Sequence, residues 1–296
     1  MPAKRLAILN FKGGVGKTTN AVNIAAALAF HPELGSQRVL VVDLDPQCNA
    51  TFWLLTRQGW NHLNEEGCTI RAFFRPQVVT RDLSIRDYIV PVPGMTVQGR
   101  LDMLAGDFSL LAVDDEGIEG MRPRQQDEVL WHALKPILND YDYIIFDCPP
   151  GYSLPTRNAF RAAQYMVVPY TPDYLALEGV KWIRRLQARF AERHGWENTA
   201  SLLGVIVNRF TNFNAQQQAI SELKSVMDDV QSVLDKQTYQ GQLHLFEPFI
   251  KEGTLMNEAN NNQQLLVDAH PGNRMTASMV ELTQNIVAAV ASGTLQ

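Results

Sequence analysis

Long apolar runs are missing from this chain of 296 residues: none approaches the roughly 20 residues that a membrane-spanning helix needs. Cysteine is scarce. Cys48, Cys68 and Cys148 are odd in number, widely separated and form no C-x-x-C, which argues against a disulfide framework or a zinc site and for a reducing compartment. The six histidines show no pairing at ligand spacing. Neither sign of charge dominates: 26 Lys and Arg against 31 Asp and Glu leave a net charge of −5. Attraction to DNA or to an acidic membrane must therefore come from a local patch or from a dimer, not from the bulk field. Low-complexity tracts and internal repeats are absent, apart from the polar stretch 257–264, which reads as an exposed loop. A signal peptide is not expected, because the first apolar run begins almost at Met1. What remains is 46% hydrophobic and 19% charged, a composition that suits a cytoplasmic globular chain with a large core.

The chemistry gathers at residues 12–19, KGGVGKTT. Before it, residues 6–9 form a short apolar run of the kind a buried parallel strand needs. After it, Val22, Ile24, Ala25, Leu28 and Ala29 recur at helical spacing, so a helix begins near Lys17. A strand, a glycine-rich turn and a helix N-terminus together make a phosphate site. Gly13, Gly14 and Gly16 let the backbone wrap closely around an anion. The N–H groups from Gly13 through Val15 to Thr19 point inward, and the helix dipole adds positive potential. Lys17 then neutralises β- and γ-phosphates, and the Thr18 hydroxyl holds Mg²⁺. The usual pattern G-x-x-x-x-G-K-[ST] is broken at its first glycine, where Phe11 stands, and a second lysine, Lys12, lies at the loop entrance. Two ammonium groups on one tight loop repel, and a bound triphosphate relieves that repulsion. A Lys12 pointing idly into solvent is the alternative.

Two more strands end in carboxylates. The segment RVLVVDLDPQCNAT gives a buried strand over 39–44 that ends in Asp43 and Asp45. Ligands of open parallel sheets sit beyond the carboxyl ends of strands, so these groups fall beside the phosphate loop. Pro46 fixes the chain as it leaves, and a short helix is predicted over 49–55. Alone, two aspartates at a strand end can instead be a helix-capping pair, the lesser alternative. An amphipathic helix predicted over 124–138 leads to YDYIIFDCPP, where a strand ends in Asp147, a carboxylate placed to act on Mg²⁺ through water. Cys148 reads as a small buried residue.

Residues 56–122 are harder to read. Short helices over 68–74 and 107–113 and a strand over 100–104 are predicted, interrupted by Pro76, Pro91 and Pro93. This section is expected to decorate the carboxyl edge of the sheet and to meet a partner subunit. Trp53, Trp60, Phe73 and Phe74 are assigned to the core rather than to a cofactor cage. Strands over 165–168, 202–207 and 243–250 then alternate with helices over 175–190, 216–234 and 280–290. The alternation predicts an α/β fold in one domain: a doubly wound, mostly parallel sheet with helices on both faces.

Taken with their order, KGGVGKTT, DLDPQ-x-NAT and the strand ending in Asp147 resemble the deviant Walker A ATPases of the ParA/MinD/Soj family over nearly the whole chain. The resemblance implies a P-loop fold, ATP and Mg²⁺ as cofactors, and an ATP-sandwiched homodimer in which Lys12 reaches the partner's nucleotide. It implies that Asp45 orients or activates the attacking water, that Asp43 supports the Mg²⁺ shell, and that Asn208 with backbone at Pro248 and Phe249 holds adenine. An asparagine merely capping the segment after its strand is the alternative for Asn208. The family usually has glycine where Cys48 stands. With the loop at residue 12, no N-terminal helix-turn-helix domain is expected, which points to the short, Soj-like type.

For such a protein the resemblance implies non-specific DNA binding, a ParB-like adaptor that stimulates hydrolysis, and a nucleoid-associated location. Candidate DNA contacts are Arg184, Arg185, Arg189, Arg209, Lys224, Lys236, Lys251 and Arg274; Arg184, Arg185 and Arg189 are expected to share a helix face, and a solvated charged face is the alternative. Soj-like proteins carry a DNA-contacting arginine shortly before an S-E-A segment, whereas here GTLMNEA at 253–259 lacks one and Lys251 is the nearest basic residue. A MinD-like membrane protein needs a basic amphipathic C-terminal helix, and no Lys or Arg follows Arg274. The nitrogenase iron protein needs cluster-ligating cysteines that these three do not match. The cobyrinic acid amide synthases are set aside on length, since they are expected to need an extra glutaminase domain.

Overall fold

The computed structural model describes residues 1–75, 84–93, 99–211, 214–234 and 242–293. Pro76 and Lys236 lie outside them. Eight strands form one sheet: β1 (Lys4–Ile8), β2 (Arg38–Asp43), β3 (Ile89–Pro91), β4 (Arg100–Leu104), β5 (Tyr143–Asp147), β6 (Tyr165–Tyr170), β7 (Ser201–Val207) and β8 (His244–Phe246). Their order is β3-β4-β2-β5-β1-β6-β7-β8, and every neighbouring pair is parallel except β3 with β4. The doubly wound α/β expectation therefore holds, with a short antiparallel edge strand added.

Alternation along the strands explains why both faces are covered. Successive side chains point to opposite faces. Ala7 and Leu9, Leu40 and Val42, and Ile144 and Phe146 enter one core, while Leu6 and Ile8, Val39 and Val41, and Ile145 enter the other. The second core is closed by α1 (Lys17–Phe30), α2 (Asn49–Glu65) and the C-terminal helices α9 (Thr254–Asn261), α10 (Leu266–Ala269) and α11 (Arg274–Ser292). The first is covered by the short α3 (Val113–Glu116), by α5 (Val129–Leu134) and α6 (Leu154–Ala162), and by the long α7 (Tyr174–His194) and α8 (Asn214–Leu234). The single turn α4 (Pro123–Gln126) precedes α5. Trp53, Trp60, Phe73 and Phe74 are all buried, as core residues.

Four predicted elements take a different form. The helix placed over 49–55 continues to Glu65 through a break at Thr56, whose φ of 65° and ψ of 160° are not helical. The single helix placed over 124–138 is split into α4, α5 and a 3₁₀ turn at Lys135–Ile137: between α4 and α5 the Asn158 side chain donates to the Gln126 carbonyl and accepts the Leu130 N–H, and Pro136 removes an N–H donor beyond α5. The strand placed over 243–250 stops at Phe246, before Pro248. The polar stretch placed as a loop over 257–264 is mostly α9, because Ala259 buries itself against the second core. Helix α6 was not anticipated. Its signal is local all the same: Ser153 accepts the Thr156 N–H, and Pro155 lies in the first turn.

Register places the site. Ile8 pairs with Asp147 on β5, and Asp147 pairs in turn with Asp43 on β2. The loop that follows β1 thus emerges beside both carboxylates, at the point where the chain winds outward to β6 on one side and β5 on the other.

Candidate active site

The loop takes the shape its glycines allow. Gly14 and Gly16 have φ of 74° and 91°, and a Cβ on Gly16 would stand 2.9 Å from the Asn208 amide nitrogen. Lys17 opens α1 almost fully buried and curls back, its Nζ donating to the Lys12 carbonyl at 3.1 Å. Burial lowers its pKa, and the nearby Asp147 and Asp45 act in the opposite sense. A curled ammonium over a concave row of N–H groups suits a polyphosphate.

The three carboxylates divide their work. Asp43 is fully buried and already tied: Oδ1 accepts the Asp45 N–H at 3.0 Å, and Oδ2 accepts the N–H and hydroxyl of Thr51 at 2.9 and 2.7 Å. It fixes the turn that carries Asp45 and the first turn of α2. Asp45 is further held by the Gln47 N–H, which donates to its Oδ1 at 2.9 Å; burial raises its pKa, while that hydrogen bond and Lys17 lower it. Asp147 differs. Both its oxygens are buried without a hydrogen-bond partner among the described residues, although the Thr18 hydroxyl is near enough to favour the charged form slightly. Orphaned carboxylate oxygens next to a loop hydroxyl fit a hydrated Mg²⁺, so Thr18 and Asp147 are better placed for it than Asp43.

This cluster predicts a pH dependence. Burial pushes Asp43 up to about 7 and Asp147 well above the ordinary carboxylate range. A carboxyl whose folded pKa is raised holds its proton more tightly in the folded state than in the unfolded one. The stability it contributes is therefore present at acid pH and lost as pH rises from about 4 towards 7. Nucleotide-free, metal-free protein should show its thermal midpoint falling between pH 5 and 8, and Asp147→Asn should flatten that slope. An unchanged slope in the variant would remove the assignment.

Lys12 does not point idly into solvent. Its Nζ pairs with Asp173 at 2.5 Å, and Asp173 also accepts the Thr171 hydroxyl at 2.8 Å. The Lys12 N–H donates to Asn10, whose amide donates to the Pro169 carbonyl at the end of β6. The loop entrance is thereby fastened to the segment leading into α7.

A small cleft opens beside the loop. Val15, Gly16 and Asn208 form its floor, and Arg209, Ile250, Lys251 and Met256 its walls, around about 70 Å³. Asn208 holds the loop itself, its amide donating to the Val15 carbonyl at 2.8 Å, so it is more than a cap. Pro248 and Phe249 do not line this cleft; Phe249 packs edge-on against Phe210, and Ile250 with Lys251 supplies the wall. Met256 and Asn257 of α9 reach the cleft too. Sequence reading missed them because a polar stretch carries no strong helical period.

Among the basic candidates, Arg184 needs correction: it is 6% exposed, with its guanidinium 5.0 Å from the Trp196 ring. The shared exposed face therefore keeps Arg185, stacked on Trp182 at 5.3 Å, and Arg189, but not Arg184. Lys224 and Arg274 are exposed on α8 and α11, whereas Arg209 and Lys251 line the small cleft beside the loop.

An AAA-domain family profile matches residues 3–196. The chain is 35% identical to the sporulation initiation inhibitor protein Soj of Bacillus subtilis over 76% of its own length and 81% of that protein. It is 37% identical to the chromosome-partitioning ATPase Soj of Thermus thermophilus over 70% of each. Cobyrinic acid a,c-diamide synthase from Mycobacterium smegmatis, solved with an ATP analogue and magnesium, shares the fold at a TM-score of 0.72 and 23% identity, over 98% of this chain and 96% of the other. That near-complete coverage corrects the length argument against the amide synthases: no extra domain separates the two chains. Sequence separates them where length does not, and the chain belongs to the ParA/Soj family of P-loop ATPases.

Proposed function

We propose that this protein is an Mg²⁺-dependent ATP hydrolase of the partitioning type, closing as an ATP-bound homodimer, binding DNA without sequence preference, and stimulated by a ParB-like adaptor. The observation that carries the hydrolytic reading is Asp45 beside the phosphate loop, its carboxylate accepting the Gln47 N–H and its own N–H donating to the Asp43 carboxylate. Mere nucleotide binding has no use for a carboxylate fixed there.

The reaction is in-line attack of water on the γ-phosphate, driven by positioning and charge neutralisation. Mg²⁺, when bound, draws negative charge from the phosphate oxygens, with Thr18 and Asp147 as its holders and Asp43 behind them. Gly13 to Thr19 cradle the phosphates, and Lys17 leaves the Lys12 carbonyl to neutralise the β/γ oxygens. Asp45 aligns the water and takes its proton. Lys12 of a second copy supplies the cation that meets the developing charge. Asn208 and the cleft beside it hold the adenine.

The partitioning role draws support from the named role of the Thermus relative. DNA affinity built on phosphate contacts falls steeply with salt, by about 10³–10⁵ between 50 and 200 mM for roughly 6–10 contacts. ATP-dependent retention on unrelated DNA sequences with that salt dependence is the expected result. No helix among the described residues is long and apolar enough to cross a membrane. ATP-dependent sedimentation with liposomes, without DNA retention, would overturn the DNA role in favour of a MinD-like one.

A further inference from the structure

A second cleft lies on the other flank of the first turn of α1. It encloses about 350 Å³, larger than the first cleft, and shares Thr19 and Asn260 with it. Beyond Thr18 and Thr19, its lining comes from α2 and the α9 end of the chain, outside the phosphate loop. Its one charged lining residue is Arg57, and no carboxylate lines it. Among the described residues Arg57 forms no ion pair; its guanidinium instead lies 4.7 Å from the Phe52 ring centroid, which fixes the plane without consuming the donors.

The walls are held in unusual backbone conformations. Thr56, a β-branched residue at φ 65°, breaks α2 immediately before Arg57, and Gln263 on the facing wall has φ 56°. The Thr56 hydroxyl accepts the Gly59 N–H at 3.4 Å and restarts the helix. The Trp53 indole donates to the Gln264 carbonyl at 3.2 Å, tying one wall to the other. A non-glycine residue at such a φ persists only where its surroundings over-determine it, and such positions cluster at ligand sites.

With the Thr18 hydroxyl kept for Asp147 and Mg²⁺, the other polar groups among the lining residues still offer donors: the Arg57 guanidinium, the Thr19 hydroxyl and the side-chain amides of Asn49, Asn260 and Gln263. A cationic ligand finds no counter-charge here, and an apolar one strands the donors. A phosphoryl group satisfies all of them. We propose that this cleft is a phosphoryl site, with Arg57 as its cation, adjoining but separate from the loop that holds the β- and γ-phosphates. Two sources share that chemistry. One is the α-phosphate flank of the bound nucleotide, which rests on the ATP reading above; the other is the phosphate of a second molecule.

Calorimetric titration of the wild type, Arg57→Ala and Arg57→Lys separates the sources. AMP, ADP and ATP are titrated first, and pyrophosphate is then titrated into ADP-saturated protein. If the nucleotide fills the cleft, Arg57→Ala weakens all three nucleotides alike, by about 10- to 100-fold, with Arg57→Lys intermediate. If a second molecule fills it, nucleotide affinities stay within two-fold, and pyrophosphate binds the wild type but not Arg57→Ala. A loss confined to ATP, or no change in either titration, overturns the proposal. Arg57 is exposed, so the variants keep the wild-type thermal midpoint. A wild type that binds no nucleotide would sink the ATPase reading and leave the pyrophosphate titration to judge the cleft alone.

Discussion

Replacing Asp45 with alanine should lower ATP turnover by about 10²–10³-fold while ATP binding stays near wild type, since a positioned base contributes at about that level. The split between turnover and binding follows from the geometry. Asp45 makes no contribution to the phosphate cradle, whose donors are backbone N–H groups and Lys17. Its own carboxylate is fixed by the Gln47 N–H, and its backbone by Asp43. Burial raises its pKa without help from a neighbouring carboxylate, which suits a group that must accept a proton. Asp43→Asn should act differently, because Asp43 works through the turn it holds. It keeps the three hydrogen bonds only in part and disturbs Asp45 and the start of α2 together, so binding and turnover decline together. Single-turnover hydrolysis measured beside nucleotide titration distinguishes the two. Wild-type turnover in Asp45→Ala would show that the water is placed by something else.

Which parts of this site were legible in the sequence follows a physical division. The phosphate loop and the three strand-end aspartates are local: the residues that do the work are neighbours in the chain, and the strand-turn-helix context confirms them. Gly16 and Lys17 could be named from the pattern alone. The partners of those residues are not local. Asp173 lies 161 residues from Lys12, and nothing in the spacing of either residue points to the other. Thr51, which satisfies Asp43, reads as an ordinary helix residue until register brings it under the strand end. The helices missed or misread are short: α9 fully buries only Ala259, too little to set a period, and α6 buries Leu154, Ala159, Phe160 and Ala162 within nine residues, too short a run to repeat one. The split of α4 from α5 has a non-local cause: the Asn158 amide donates to the Gln126 carbonyl and accepts the Leu130 N–H, taking the place of a helical hydrogen bond that the amphipathic pattern predicts. Arg184 shows the limit of charge patterning, because a guanidinium stacked under an indole looks like a solvated one until Trp196 is placed.

The Lys12→Ala variant should bind ATP yet fail to dimerise with it, and lose about 10³–10⁵ in stimulated turnover, the range of a cation supplied in trans to phosphoryl transfer. Lys12 is engaged within its own subunit by Asp173. To reach a partner's triphosphate it must leave that carboxylate, so the ion pair opposes closure. Both side chains are about a third or more exposed, and solvent-screened pairs of this kind contribute about 0–1 kcal/mol. Asp173→Ala should therefore lower the ATP concentration needed for dimerisation modestly, by no more than about five-fold. The two substitutions are coupled through one ammonium. Asp173→Ala should have no effect in the Lys12→Ala background, because the group it releases is gone. Light scattering across ATP concentration in the four proteins reads this directly. Dimers formed by Lys12→Ala at wild-type ATP concentration would remove the cross-subunit role. If Asp173→Ala shifted the midpoint equally in both backgrounds, the carboxylate would act on closure through something other than Lys12, and the ion pair would be a bystander to the switch.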